Sequence, residues 1–441
     1  MFFVSQILKN KQKIIPPSGT EYTVEEFLGS GGQGEVYRVS AGDKNWALKW
    51  YYPHTATVEQ RKALETLTLK GAPTEKFLWP LVVITDPNVK GYGYIMPLRP
   101  KNFKNIVDLM KRRIEPSFFA LSTAGFQLAD SYFHLHINGL SYRDISFGNV
   151  FFDPQTGEVL ICDNDNVTFD KTDKSAVYGT PRFMAPEIVR GVARPSTDSD
   201  RFSLAILLFY MFFISHPFEG KKESVIHALD APAMKKLYGD EPVFIFDPND
   251  KSNAPDPKFH QNALIYWQIY PQFFKDLFIR VFTQGIKDPE NGRVFESEWR
   301  SGLIKLRDSI VFCQKCGCEN FYDFDTLKKA GNAAPKCWNC NVTITLPLKI
   351  KIGNLVVMLN HNTKLYPYHL DPMSYDFSKS IAELSRNPSN PNIWGLKNIS
   401  DRSWKVTKSD GTAIEVHSGK NVAIRNGIRI NFGRSEGEIM V

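Results

Sequence analysis

The sequence predicts an α+β chain whose strand-rich beginning and helix-rich middle are followed by a four-cysteine module and a small all-β domain. Three observations carry that reading. Short apolar strands dominate residues 22–98, and helical patterns dominate 103–310. Beyond the cysteines at 313–340, apolar residues alternate between turn dipeptides. The 441 residues are enough for two or three domains with at least one large core. Composition is that of a soluble protein, 42% hydrophobic and 23% charged. The net charge of +7 permits an anionic ligand but does not by itself imply nucleic acid or a membrane.

The elements follow in order. Residues 1–21 form an extension, MFFVSQILKNKQKIIPPSG and onward, without the basic, apolar and small succession of a signal peptide. Strands at Tyr22–Leu28 and Val36–Val39 flank the glycine turn in 29-GSGGQGEVYRV-39, and 46-WALKWYY-52 is a third. A helix over Val58–Lys70 places Ala63, Leu64 and Leu67 on one face, and 91-GYGYIMPL-98 is a further strand ending at Pro97. Helices are expected at Phe118–Asn138, Ser199–Ile214, Glu223–Leu229 and Gln272–Thr283. The apolar run 202-FSLAILLFYMFFI-214 is too short for a bilayer and fits a buried core helix. Val342, Ile344, Leu346, Leu348, Ile350 and Ile352 alternate strictly, as in a strand. Trp404/Val406 and Ile414/Val416 flank Asp410-Gly411, while Val422/Ile424 and Ile428/Ile430/Phe432 flank Asn426-Gly427, which reads as a run of hairpins.

Gly29, Gly31 and Gly34 have G-x-G-x-x-G spacing. Backbone free of side chains can lie against phosphate oxygens and offer them N–H groups, although a flexible hairpin turn reads the same way. Lys49 follows on a strand, where a buried ammonium is costly unless its charge is used. A snorkelling edge lysine is the plain alternative. Glu65, or else Glu59, on the next helix is the expected partner for Lys49. Further on, 141-SYRDISFGNVFF-152 and 160-LICDNDNV-167 supply Asp144, Asn149 and Asp163. Asn149 and Asp163 offer hard oxygens suited to magnesium, and Asp144 suits acceptance of a proton from an attacking hydroxyl. Singly these are ordinary turn and capping residues. Their order and spacing behind a glycine loop and a lysine make coincidence a poor account.

On these residues, the stretch from 22 to about 308 resembles the protein kinases. GSGGQGEV stands as the glycine loop, ALKW holds the lysine, and YRDISFGN and CDND stand where H-R-D-x-x-x-x-N and D-F-G are expected. 179-GTPRFMAPE-187, 200-DRFSLA-205 and Arg293 follow. The resemblance implies a bilobal fold with an N-lobe over 22–98 and a C-lobe over 99–308. It implies nucleotide contacts from Gly29, Gly31, Gly34, Val36, Ala47, Lys49, Glu65 and Met96, with Asp144 catalytic and Asn149 and Asp163 holding magnesium. It also implies that Glu187 pairs with Arg293 and that Asp200 braces the catalytic loop. Gly179-Thr180, and the lack of an Arg at 148, match kinases of serine and threonine hydroxyls, with Thr168, Thr172 and Ser175 as candidate autophosphorylation sites. The chain departs from the pattern at three places. Ser146 replaces a phosphate-facing lysine, Tyr142 a histidine, and Asn164-Asp165 the Phe-Gly pair. A pseudokinase scaffold that binds nucleotide and docks a partner is the alternative reading.

Cys313-x-x-Cys316 and Cys337-x-x-Cys340, with 20 residues between the pairs, have zinc-ribbon spacing, giving a closed structural site over 309–345. Cys318 is a spare that is either unbound or in competition with Cys316, and Cys162 reads as a buried strand residue. The linking stretch lacks a dense basic face, which ranks nucleic-acid binding lower. Paired cysteines of this kind suit a reducing compartment, so a cytoplasmic protein is expected. Residues 346–441 form the all-β domain, loosely similar to forkhead-associated sandwiches but without their Gly-Arg and Ser-Arg-x-His elements. The order of modules resembles a group of bacterial kinases found with a 2C-type phosphatase and a von Willebrand factor A protein, some in tellurium-resistance clusters. That resemblance implies those proteins as partners in signalling or stress response.

Overall fold

A computed structural model describes residues 6–16, 19–170, 179–329, 331 and 334–441. They fall into two compact units. One is Met1–Tyr266 with Asp276–Arg300, and the other is Trp267–Lys275 with Ser301–Val441.

The first unit begins with β1 (Lys13–Ile14), β2 (Tyr22–Ser30), β3 (Gly34–Ala41) and β4 (Lys44–Tyr51). Helix α1 (Val58–Lys70), β5 (Val82–Asp86) and β6 (Val89–Pro97) follow. The strands make one antiparallel sheet in the order β1-β2-β3-β4-β6-β5. Side chains alternate across a strand, so β4 serves two cores. Leu48 and Trp50 pack with Val24, Tyr37, Val39 and Ile95 on one face. Ala47 and Tyr51 pack with Leu64 of α1, Tyr94 and Met96 on the other. Lys49 has the parity of Ala47 and Tyr51 and so enters the second face. Thr57 caps α1 by accepting from the Gln60 amide at 3.1 Å, and Gly71 ends it at a positive φ of 77° that glycine adopts readily.

The chain continues through β7 (Lys104–Asn105), α2 (Ile106–Met110) and α3 (Phe118–Ile137). Three short strands, β8 (Leu140–Ser141), β9 (Val150–Phe152) and β10 (Val159–Ile161), lead to β11 (Thr168–Phe169). Pairing of β10 and β7 with β9, and of β11 with β8, holds the polar loops between them. Then come α4 (Pro186–Val189) and α5 (Thr197–Phe213). A Ser196/Ser199 capping box starts α5, and from Phe202 to Phe213 every side chain is buried. The apolar run is thus a core helix. Phe209 stacks on Phe213, and both meet Phe278 edge-on.

Two helix expectations need correction. Glu223–Leu229 is not a helix, since helical backbone spans only Lys221–Ser224 and none of its residues is buried, so no apolar face extends it. The last of the four runs on to Lys287 instead of stopping at Thr283. Among the described residues, no helix is long and apolar enough to cross a membrane.

In the second unit, the hairpin Ile310–Phe312/Glu319–Phe321 leads into the cysteine segment. Its core joins Val311, Cys313, Tyr322, Cys337 and Ile344 to Met358. The β-rich tail is a pair of sheets. One orders Leu355–Met358, Lys349–Ile352, Glu436–Met440, Arg429–Asn431, Trp404–Thr407 and Ala413–Val416. The other orders Lys364–Leu365, Ala382–Asn387, Asn390–Asn398 and Asn421–Ala423. Trp404, Val406, Ile430, Leu396 and Ile439 fill the core between them. The hairpin about Asp410-Gly411 forms as expected. The one about Asn426-Gly427 does not, because Asn421–Ala423 pairs with Asn390–Asn398 while Arg429–Asn431 belongs to the opposite sheet. The alternating stretch from Val342 becomes a strand only at Lys349, apart from a bridge between Thr343 and Lys336.

Candidate active site

The glycine loop joins β2 to β3, with Gly29 opposite Val36 and the Gly31 amide donating to Gly34 O at 2.9 Å. Its glycines serve different ends. A Cβ on Gly34 would lie 2.2 Å from Trp50 O, so the close approach of β4 excludes any side chain there. A Cβ on Gly29 or Gly31 would meet nothing within 4 Å. Nothing in the protein's own packing requires those two glycines, and the open space beside them fits a cradle for phosphates.

Lys49 stands opposite Val36 on β3 and Tyr94 on β6, and Ala47 opposite Met96. Its Nζ lies 2.8 Å from Asp163 Oδ1, 2.8 Å from Asp165 Oδ2 and 3.1 Å from Gln33 Oε1. Burial alone would lower the lysine's pKa, but Asp165 and Asp163 outweigh it and hold the ammonium well above its ordinary range. The expected partner Glu65 is elsewhere. Its carboxylate lies 2.9 Å from Arg61 Nε on the same helix and is about half exposed. Glu59 lies in the first turn of α1, and neither glutamate is among the hydrogen-bonding or ionic partners found for Lys49.

The catalytic-loop candidate starts where β8 ends. Asp200, buried in the first turn of α5, accepts the amides of Tyr142 at 2.5 Å and Arg143 at 2.8 Å, which is the expected bracing. Arg143 takes a left-handed φ of 75°, a costly conformation that these bonds help hold. The Tyr142 hydroxyl donates to Cys162 O, tying the loop to the residue before Asp163. Cys162 itself is only partly buried and follows β10 rather than lying in it. Asp144 accepts from Thr180 Oγ1 at 2.7 Å and from Asn149 Nδ2 at 3.3 Å, and Asn149 Nδ2 also donates to Asp144 O at 2.7 Å. Asn149 thus holds its loop closed, and Thr180 orients Asp144.

Asp163 is left-handed, φ 55°, and its side chain stays 44% exposed, so it remains open to a ligand. After it, Asn164 is fully buried and donates to Leu78 O and Ile161 O, each at 2.9 Å. A polar clasp therefore occupies the place where the resemblance expects an aromatic ring. Asp165 is buried, and Tyr51 donates its hydroxyl to the same oxygen that receives Lys49. Burial and the Asp165 charge keep Tyr51 protonated far above the ordinary phenol range. Gln60 of α1 donates to Asp165 O at 3.2 Å and to the Tyr51 hydroxyl at 3.3 Å. Gln33 in the glycine loop also donates to Asn166 Oδ1 at 3.1 Å.

Farther out, Arg293 Nη2 is 2.8 Å from both carboxylate oxygens of Glu187, as expected. Thr168 opens β11, whereas Thr172 and Ser175 lie outside the described residues. Sequence reasoning missed Gln33, Tyr51, Gln60, Asp165 and the Thr180 contact. Asp165 carried a signal, since an acidic residue next to buried strand residues needs a cation.

In the second unit, Cys313, Cys316, Cys337 and Cys340 bring their sulfurs within 4.8 Å of one another. Two alike turns present them. The Gly317 amide donates to Cys313 O and that of Asn341 to Cys337 O, both at 2.9 Å, with Gly317 and Asn341 left-handed. The Cys313–Cys340 and Cys316–Cys337 sulfur distances are each 3.6 Å, close to the ~3.8 Å edge of a zinc–thiolate tetrahedron with bonds of ~2.3 Å. The four residues fit zinc. Cys318 lies outside this group and accepts from Asn339 Nδ2 at 3.2 Å.

Residues 22–266 match a family model described as the protein kinase domain. Among similar proteins, a probable serine/threonine-protein kinase of Zea mays is 25% identical over 213 residues, 46% of this chain and 33% of the relative. Beta-adrenergic receptor kinase 1 of Mesocricetus auratus is 32% identical over 238 residues, 50% of this chain and 33% of the relative. Protein kinase C delta type of Mus musculus is 28% identical over 214 residues, 46% of this chain and 30% of the relative. The chain thus spans about a third of the length of these relatives.

Proposed function

Because this chain belongs to the protein kinase family, we propose that it transfers the γ-phosphate of ATP to serine or threonine hydroxyls of proteins, itself included. The observation that carries the proposal is the convergence of a buried, charged Lys49, an exposed Asp163 carboxylate and a doubly held Asp144 in the unit that also bears the open glycine loop.

In this reading Lys49 draws the α- and β-phosphates, and Asn149 and Asp163 would hold magnesium, which neutralises phosphate charge when bound. The backbone at Gly29, Gly31 and Gly34 covers the phosphates, while Val36, Ala47 and Met96 enclose the base. Asp144 positions the acceptor hydroxyl and takes its proton as the new O–P bond forms. The bond to the β-phosphate oxygen breaks, and ADP leaves.

Zinc on the four cysteines would be structural, and the β sandwich would dock partners. By module order, a 2C-type phosphatase and a von Willebrand factor A protein of a bacterial cytoplasmic stress-response system, some of them linked to tellurium resistance, are the partners proposed. The pseudokinase alternative draws support from Ser146 and from the Asn164-Asp165 substitution.

Phosphate transfer from labelled ATP with magnesium tests the proposal on wild type, Lys49→Ala and Asp144→Asn. Label on serine or threonine with wild type, lost in both variants, is expected. ATP binding without transfer would move the weight to the scaffold.

A further inference from the structure

We propose that Asp165, not Glu65, is the positioning carboxylate for Lys49, and that Gln60 ties helix α1 to the site through Asp165. The inference rests on the kinase reading for its catalytic consequence but not for its geometry.

Three observations support it. The Asp165 side chain is wholly buried and that of Lys49 is 6% exposed, with 2.8 Å between charges, whereas Glu65 is 47% exposed and engaged by Arg61. A charge pair withdrawn from water is the stronger one, and a buried ammonium without its partner is costly. Second, among the described residues Asp163 is the only other carboxylate on Lys49, and it is the more exposed of the two. When a cation draws on Asp163, Asp165 still neutralises the lysine. Third, Asp165 is itself fixed. Tyr51 donates to its carboxylate, and Gln60 donates to its carbonyl and to the Tyr51 hydroxyl. The lysine and its counter-ion are thus held by β4 and by the segment after β10, while α1, packed on the sheet through Leu64, reaches their hydrogen-bond network through the neutral amide of Gln60. Neither member of the ion pair lies on α1, so of the bonds that fix Asp165 a displaced α1 would remove those of Gln60 alone.

The test compares Asp165→Asn and Glu65→Gln with wild type. One readout is steady-state phosphate transfer. The other is the pH dependence of Lys49 acylation by an amine-reactive reagent, followed by mass spectrometry without nucleotide. We expect Asp165→Asn to lower kcat/KM for ATP about ten- to hundredfold, the range for residues that orient a primary contact, and Glu65→Gln to stay within about twofold. Lys49 acylation should begin at lower pH in Asp165→Asn and not in Glu65→Gln. Unchanged Lys49 labelling in Asp165→Asn overturns the proposal, and so does a tenfold loss in Glu65→Gln. The latter replaces a half-exposed side chain and keeps the test decisive should Asp165→Asn not fold. Shifted labelling in a protein whose wild type transfers no phosphate would retain Asp165 as the counter-ion and sink the kinase reading alone.

Discussion

Loss of the His136 proton is expected to make the first unit lose stability between neutral and moderately alkaline pH. The ring lies near the end of α3, 4% exposed, with Nδ1 2.6 Å from Glu296 and Nε2 3.2 Å from Asp200. Burial alone would lower its pKa, but the bonds to Asp200 and Glu296 reverse that and raise it from 6.5 to about 9. Between those values the folded protein holds a proton that the unfolded chain releases. The stabilisation is therefore complete below about pH 6.5, falls by ~1.4 kcal/mol per unit as pH rises, and is gone above about pH 9. Over ~2.5 units the loss is ~3 kcal/mol. Asp200 also accepts the Tyr142 and Arg143 amides, so the loss falls on the anchor of the catalytic loop. Asn at 136 retains polarity without the titration. Urea unfolding of wild type and His136→Asn, monitored at several pH values across the window, should give curves that converge by ~3 kcal/mol as pH rises. A constant gap would refute the charged imidazole.

The glycine loop offers a contrast between its members. Gly34→Ala places a Cβ against Trp50 O and should destabilise by about 1–3 kcal/mol in thermal unfolding, whereas Gly31→Ala should stay within about 0.5 kcal/mol and raise KM for ATP. Equal thermal effects would remove the distinction. For the cysteine cluster, elemental analysis should find one zinc per chain in wild type and none in Cys337→Ser, with a lower unfolding temperature for the second unit. Equal metal content in the two proteins would dismiss the site.

Residues whose role depends on their immediate neighbours were readable from the sequence. The glycine spacing, the strand holding Lys49 and the polar loop bearing Asp144 and Asn149 all carry local signatures. Asp200 and Arg293 were placed only through the resemblance, and the structure gives each its partner. The partner of Lys49 was not legible, because its choice is tertiary. Asp165 lies 116 residues away, and a helix glutamate in the expected place was satisfied locally by Arg61. Periodicity misled where a different constraint governed the backbone. From Val342 to Leu348, alternation coincides with a chain leaving the second cysteine turn, where the Ile344 amide donates to Pro335 O and the Thr345 amide to Gln314 Oε1 instead of to a neighbouring strand. At Asn426-Gly427 the turn signal was genuine, but the flanking strands joined different sheets. A dipeptide cannot encode that choice.

Asn164 bears on how such a site would be targeted by small molecules. It replaces an apolar ring with an amide bonded to two backbone carbonyls inside the fold. A compound that wedges itself into the space behind a displaced side chain would have to break both bonds. It would also strand Leu78 O, at about 1–3 kcal/mol, whereas Ile161 O keeps the Leu78 amide at 2.8 Å. Selective inhibitors are better sought on the open side of the glycine loop, where the space beside Gly29 and Gly31 can be filled without opening the core.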